Sequence, residues 1–208
     1  QMFGRNYPAQ VGLAGDAGAV LRALLGALRG SREADASTHE ELAKLQQATR
    51  ESVESQFPNE LRLWEAVRNV AGRDAIVVCD STIPANTALR CLPVYEPRTL
   101  HNPHGWVSIG YGFAASLGAK VGVPDKQVVC VTGDGGFMMT GQELATAMHH
   151  QLDPIILLFN NGLYGTIRMH QEREYPDRII GTDLTNPDFA ALARAYGAHG
   201  ETVERTED

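Results

Sequence analysis

Three short stretches in which apolar residues predominate lie at residues 75–79, 127–132 and 154–159. Each run is five or six residues long and is followed by Asp, Gly or Asn. Short, continuously apolar runs are typical of parallel strands that are buried on both faces. Because helical patterns separate the runs, the sequence predicts an α/β fold, a three-layer sandwich around a mainly parallel sheet.

Apolar residues at helical spacing predict the helices of this fold. Asp16 is suited to cap the first of them, since its side chain can accept a backbone N–H at a helix start. A polar stretch at residues 30–37 predicts a boundary or linker, and residues 201–203 predict the start of another strand. The predicted helices cover residues 16–28, 38–55, 61–70, 110–122, 139–150, 163–171 and 187–196.

Composition narrows the function classes. The formal net charge of −7 argues against a nucleic-acid partner, which favours a basic surface. No apolar run is long enough to cross a bilayer, so no membrane association is predicted. The N-terminal residues lack the apolar core of a secretion signal. Cys79, Cys91 and Cys130 form no CxxC pair. Cys79 and Cys130 lie in apolar runs, so we interpret these two as reduced core residues and expect a cytoplasmic protein.

Polar residues cluster after the second and third apolar runs. Gly133, Asp134, Gly135 and Gly136 follow one run, and Asn160 and Asn161 follow the next. In a βαβ unit the carboxyl ends of both strands lie at one edge, so a carboxylate and an amide oxygen can converge there. Such oxygens suit Mg²⁺ or Ca²⁺, and the glycines leave backbone N–H groups free to face an anion. The alternative is two tight turns, with Asp134 as a helix cap.

This pair of motifs resembles the signature of the thiamine diphosphate-dependent enzymes. In that family GDG is followed by NN after about two dozen residues, and here 24 residues separate Gly135 from Asn160. Residues 108–115 and 141–147 extend the resemblance. It covers about residues 60–203 and is closest to acetolactate synthase-like enzymes and benzoylformate decarboxylase. It implies that residues 1–30 are the tail of a middle domain and that residues 31–58 are a linker with an exposed helix. Residues 59–208 would then be a diphosphate-binding C-terminal domain that is truncated at its end.

The resemblance assigns site residues by position. It implies that Asp134, Asn161 and the backbone carbonyl of Leu163 bind Mg²⁺. It implies that Ile109 supports the bent cofactor and that the carbonyl of Val107 faces its aminopyrimidine. Pyruvate decarboxylases carry a glutamate where this chain has Ile167, which argues against that subgroup. The residues implied to contact the diphosphate are Gly133, Gly135, Gly136, Tyr164 and Gly165.

Two histidines are candidates for proton transfer. His101 and His104 precede the segment that would hold the cofactor, and an imidazole can exchange protons near neutral pH. The alternative is that both are exposed loop residues.

The resemblance also implies an activity. The full enzyme would decarboxylate a 2-keto acid and protonate the product or pass it to a second carbonyl compound. The activating glutamate belongs to an N-terminal pyrimidine-binding domain of the same or a partner subunit in a homo-oligomer. Nothing before residue 30 resembles that domain, so we expect the chain to bind cofactor weakly and not to turn over. Two alternative functions are a non-catalytic paralogue that serves as an assembly subunit and a nucleotide- or phosphate-binding module. The sequence does not identify the substrate or the acceptor, or whether a flavin is bound.

Overall fold

The computed structural model describes residues 7–29 and 36–205. By the density of its internal contacts the chain divides into two compact units, residues 1–49 and residues 50–208. The predicted boundary at residues 30–37 falls largely outside the described residues, and it stays a prediction.

The first unit contains helix α1 (Ala17–Ala27) and most of helix α2 (Ala36–Gln56). The Asp16 side chain accepts a hydrogen bond of 2.8 Å from the backbone N–H of Ala19, which satisfies one donor at the start of α1. Both helices were predicted, and both are confirmed. The side chains of Leu21, Leu25 and Leu28 are exposed along α1.

The second unit is built on a four-stranded sheet. All three pairings are parallel, in the order β2-β1-β3-β4, so the predicted α/β class is confirmed. The strands are β1 (Ile76–Cys79), β2 (Leu100–His101), β3 (Val128–Gly133) and β4 (Ile155–Phe159). The helices are α3 (Pro58–Ala71), α4 (Ile83–Cys91), α5 (Tyr111–Gly122), α6 (Asp134–Thr140), α7 (Leu144–His149), α8 (Gly165–Glu174) and α9 (Phe189–Ala195).

Helices cover both faces of the sheet, because alternate residues of the central strands point to opposite sides. On one face Val77 and Val131 pack in a cluster with Trp64 of α3. On the other face Cys130 packs with Phe113 of α5 and Phe137 of α6. All four residues of β1 are buried, as are the first five of β3. This is the predicted three-layer arrangement.

The structure corrects four details of the sequence prediction. Strand β2 and helix α4 were missed. The predicted helix 139–150 is wrong as one element: α6 begins earlier, at Asp134, and a 3₁₀ turn (Gly141–Glu143) separates it from α7. No strand forms at residues 201–203, although this part of the chain is described.

Cys79 and Cys130 are free and buried, as predicted for core residues, and Cys91 is free and buried as well. Burial, together with the negative charge of the neighbouring Asp80, raises the pKa of the Cys79 thiol to about 12. Burial raises the pKa of the Cys130 thiol as well. Among the described residues, no helix is long and apolar enough to cross a membrane.

Candidate functional site

The cleft of interest opens at the carboxyl ends of the strands. The chain leaves β1 toward β2 on one side and leaves β3 toward β4 on the other, so the order reverses between β1 and β3. Open α/β sheets bind ligands at such a switch point. A cleft of about 450 Å³ lies there, within the range of small-molecule sites. Its walls are residues 81–84, 107, 109, 133–136, 159–161 and 163–167.

Asp134 is the first residue of α6 and is only 2% exposed. Its Oδ1 accepts the backbone N–H of Gly135 at 2.9 Å. Its Oδ2 accepts the N–H of Gly162 at 2.8 Å and the side-chain amide of Asn186 at 2.7 Å. Three donors therefore hold the carboxylate at the wall of the cleft, beside the loop that follows β4.

The loop after β4 carries oxygen atoms into the same cleft. The Asn161 side-chain oxygen accepts the backbone N–H of Leu163 at 3.1 Å, which turns the side chain back over its own loop. Within the described chain, no hydrogen bond to the Leu163 carbonyl oxygen is present. Leu163 also forms an antiparallel bridge with Asp183, so a later segment supports the loop.

Two glycines provide the close packing that shapes the cleft. A Cβ at Gly135 would lie 2.6 Å from Cε1 of Tyr164, so the tyrosine ring occupies the space that any side chain would need. A Cβ at Gly165 would lie 2.8 Å from the side-chain nitrogen of Asn161. Larger residues at either position would displace the loop that carries Asn161.

Residues at the starts of two helices, Gly136, Gly165 and Thr166, also line the cleft. Gly136 lies in the first turn of α6, and Gly165 and Thr166 lie in the first turn of α8. First-turn N–H groups have no acceptor within their own helix. The described residues supply no hydrogen-bond acceptor for these three groups. The N–H of Gly135, which the resemblance assigns to the diphosphate, is bonded to Asp134 instead.

The segment before α5 forms another wall of the cleft. Val107 has a φ of 57° and Gly110 a φ of 87°, so the backbone reverses on either side of Ile109. A Cβ at Gly110 would lie 2.9 Å from Cβ of Met139, which explains the glycine. Val107 and Ile109 both line the cleft.

The two candidate histidines do not line the cleft. His101 ends β2, and its Nε2 is 3.0 Å from the carbonyl oxygen of Arg98. His104 is exposed, and its backbone N–H donates to the Asn102 side chain. Neither histidine is among the described residues that line the cleft. Their role in proton transfer stays a prediction.

Sequence reasoning missed Asn186. It lies 52 positions after Asp134 in a segment without apolar periodicity, and no local motif marked it. One feature of the sequence could have indicated it. Asn186 lies directly before Pro187 and Asp188, which together indicate the start of a helix, and a residue next to a helix start is held in a defined position.

The residues of the cleft fit a magnesium diphosphate group. No cluster of three or more His, Cys, Asp or Glu side chains that could hold a metal ion occurs in the described part of the chain. The candidate ligands are instead a carboxylate oxygen of Asp134, the side-chain amide oxygen of Asn161 and the backbone carbonyl oxygen of Leu163. Such hard oxygen ligands suit Mg²⁺, which is commonly bound by a few protein oxygens together with phosphate oxygens. The free N–H groups at two helix starts suit the phosphate oxygens.

Comparison with known proteins agrees with this chemistry. The family model of the thiamine pyrophosphate enzyme C-terminal TPP binding domain matches residues 82–208. The chain therefore belongs to the thiamine diphosphate-dependent enzymes and contains their C-terminal cofactor-binding domain. The predicted family is confirmed.

Individual relatives are enzymes of the two predicted kinds. A probable 2-ketoarginine decarboxylase of Pseudomonas aeruginosa is 34% identical over 203 residues, 94% of this chain and 35% of that protein. An acetolactate synthase large subunit of Parasynechococcus marenigrum is 36% identical over 160 residues, 73% of this chain and 24% of that protein. The chain thus spans about a third or less of the length of these relatives.

A solved structure shows the same fold. The thiamine diphosphate-dependent 4-hydroxybenzoylformate decarboxylase of Rhodococcus jostii RHA1 superposes with a TM-score of 0.65 at 30% sequence identity. The match covers 72% of this chain and 28% of that one.

Proposed function

We propose that this chain binds thiamine diphosphate through Mg²⁺ as part of a 2-keto acid decarboxylase or an acetolactate synthase-like carboligase. The observation that carries the proposal is the position of Asp134. Its carboxylate is buried at the wall of the cleft, 2.8 Å from the N–H of Gly162, the residue after Asn161. The carboxylate and the Asn161 amide therefore belong to one site.

Each wall of the cleft has a task in this proposal. Asp134, Asn161 and the Leu163 carbonyl hold the cation, which neutralises the diphosphate. The N–H groups of Gly136 and Gly165 bind phosphate oxygens. Ile109 supplies an apolar contact for the organic part of the cofactor, which provides the carbon nucleophile for decarboxylation. The protein contributes binding, orientation and exclusion of water.

The substrate class is argued from the relatives. Two of the similar proteins are named as decarboxylases of 2-ketoarginine and 4-hydroxybenzoylformate, which are both 2-keto acids, and others are acetolactate synthases. We extend this class to the chain, with decarboxylation as the shared step.

The acid that activates the cofactor comes from outside this cleft. Asp134 is the one carboxylate among the described residues that line it, and its oxygens already accept the N–H groups of Gly135 and Gly162. The cleft also has an apolar rim: Ile83, Val107 and Ile167 are 43%, 55% and 43% exposed. We propose that a pyrimidine-binding domain, of the same polypeptide or of a partner in a homo-oligomer, covers this rim and supplies a glutamate.

Calorimetry tests the metal-dependent site. We expect the chain to bind thiamine diphosphate only with Mg²⁺ and to give no heat with NAD or ATP. Removing a ligand in Asp134→Ala should weaken binding roughly 100-fold or more, since even loss of a ligand's outer partner costs about 10- to 100-fold. Asp125→Ala, an exposed aspartate in the turn before β3, should bind like wild type.

The chain loaded with thiamine diphosphate and Mg²⁺ also tests whether the activating acid comes from outside the cleft. With pyruvate or benzoylformate, we expect the loaded 208-residue chain to release no CO₂. Binding without Mg²⁺, or full affinity in Asp134→Ala, would contradict the proposed site. Release of CO₂ would contradict the proposal that the acid comes from outside the cleft.

A further inference from the structure

The Asn186 side chain joins the two loops of the cleft. It lies between α8 and α9, and its amide nitrogen is 2.7 Å from Asp134 Oδ2 and 2.8 Å from Asn160 Oδ1. An amide nitrogen carries two hydrogens, so both are donated here. An ionised carboxylate only accepts hydrogen bonds, so the amide must present its nitrogen to Asp134.

This contact makes the two oxygens of Asp134 unequal. Oδ2 accepts from both Asn186 and Gly162, whereas Oδ1 accepts only from Gly135. A carboxylate oxygen offers about two lone-pair directions, so Oδ2 is filled and Oδ1 keeps one free.

We infer that Asn186 is a positioning residue for the metal site. It holds the Asp134 carboxylate so that Oδ1 is presented to the cation. It also fixes Asn160, and with it the neighbouring Asn161, at a set distance from Asp134. The inference rests on the proposed function, because it concerns the Mg²⁺ site named there.

Asn186 is itself held from the side of α9. Asp188 caps α9 by accepting the Ala191 N–H at 2.9 Å. The Phe189 ring meets the Phe137 ring edge-on, with centroids 5.7 Å apart. Phe137 lies in α6, which begins at Asp134. The aromatic contact therefore connects the helix that carries the metal ligand to the helix that follows Asn186.

The segment leading to Asn186 is bound along its length. The Gln171 side chain pairs with both the N–H and the carbonyl of Ile180, at 3.0 and 3.1 Å. Thr182 accepts the N–H of Tyr164, and Leu184 donates to Gly162, both at 2.8 Å. A segment fastened at these points brings Asn186 to the cleft with little freedom, as a positioning role requires.

Two cations distinguish positioning from simple stabilisation. Mg²⁺ requires near-octahedral ligands at about 2.0–2.1 Å, whereas Ca²⁺ accepts irregular ligands at about 2.3–2.6 Å. If Asn186 fixes the ligand geometry, its loss harms Mg²⁺ binding more than Ca²⁺ binding. If it only stabilises the fold, the two cations are affected equally or not at all.

The test is calorimetric titration of Mg²⁺ and of Ca²⁺ at saturating thiamine diphosphate. For Asn186→Ala we expect the Mg²⁺ dissociation constant to rise about 10- to 100-fold, as for other outer partners of metal ligands. The Ca²⁺ constant should rise by about threefold or less, given its tolerance of geometry. Asn69→Ala, an exposed asparagine of α3, should match wild type. Asn186→Ser, which keeps a polar group but is too short to reach Asp134, should show the same split if the alanine variant does not fold.

The outcomes separate this inference from the proposed function. If wild type shows no Mg²⁺-dependent binding, the proposed function fails and this inference fails with it. If wild type binds and Asp134→Ala does not, but the Asn186 variants keep wild-type Mg²⁺ affinity, only the inference is overturned. Equal losses for Mg²⁺ and Ca²⁺ would also overturn it.

Discussion

Asp80 and Asp134 follow adjacent parallel strands, and each is 2% exposed, yet their surroundings differ. Asp80 Oδ1 accepts the N–H groups of Ser81 and Gly110 at 2.6 and 3.1 Å. Its Oδ2 accepts the Gly112 N–H at 3.0 Å and lies 3.3 Å from the Thr132 hydroxyl. Asp80 thus accepts three backbone N–H groups shared between its two oxygens, whereas Oδ1 of Asp134 accepts a single one.

The difference shows that burial alone does not identify a ligand-binding carboxylate. Asp80 fastens the start of α5, and with it the wall that contains Ile109, to the end of β1. For Asp134, the protein supplies two hydrogen-bond donors to Oδ2 but only one to Oδ1. A free lone pair at a cleft, next to other oxygen donors, is what distinguishes a site from a structural contact.

The largest expected effect concerns Asp80. Asp80→Asn keeps the shape but turns an amide N–H₂ toward backbone N–H donors, and buried donors without acceptors cost about 1–3 kcal/mol each. We expect a loss of roughly 3 kcal/mol in the free energy of unfolding, measured with denaturant in the absence of cofactor. Asp134→Asn should lose less, about 1 kcal/mol, because its open side can reach water. Equal losses would remove the distinction between the two carboxylates.

A pair of glycines in α5 gives the next effect. A Cβ at Gly112 would lie 2.8 Å from Asp80 Cβ and 3.0 Å from its backbone nitrogen, whereas nothing lies within 4 Å of a Cβ at Gly118. Gly112→Ala should therefore lose about 2 kcal/mol of stability, as overpacked cores do. Gly118→Ala should gain about 0.5–1 kcal/mol from helix propensity. Melting temperatures that rise in both variants would show that Asp80 does not pack tightly on α5.

The smallest effect is a pH dependence of stability near Asp80. Burial raises the pKa of Cys79 to about 12, whereas an unfolded thiol titrates near about 8.5. This contribution to stability is complete below pH ~8.5 and declines toward pH ~12, by up to about 1.4 kcal/mol per pH unit. Unfolding in denaturant at pH 8.5 and pH 9.5 should show a shallower decline in Cys79→Ala than in wild type. Identical declines would mean that the thiol beside Asp80 is accessible to water.

Much of the fold could be predicted because its signals are local. The buried runs that form β1, β3 and β4 and the periodic helices are visible in short windows of sequence. Strand β2 was missed because two residues are too few to show a pattern, and Leu100 and His101 form a strand only by pairing with β1. Helix α6 begins at Asp134 although Gly135 and Gly136 resemble a turn, since tertiary packing overrides their low helix propensity.

The site, like the fold, could be predicted where its residues lie in local motifs. Asp134 and Asn161 lie in dense local motifs, and the structure brings both to the cleft. Asn186 and Asp80 act through contacts with residues 52 and 30 positions away, and no local pattern in a single sequence identifies those partners. Local motifs thus identified residues that line the cleft, whereas the residues that hydrogen-bond to them from distant positions could be found only in the fold.

The position of β4 has a practical consequence for handling the chain. Among the described strands, β4 pairs only with β3, so its other side has unpaired backbone N–H and C=O groups. Its residues, Ile155–Phe159, are all large and apolar. An open edge of that composition favours edge-to-edge association of copies at high concentration. Dilute samples are therefore the appropriate condition for the titrations, so that self-association does not mimic ligand binding.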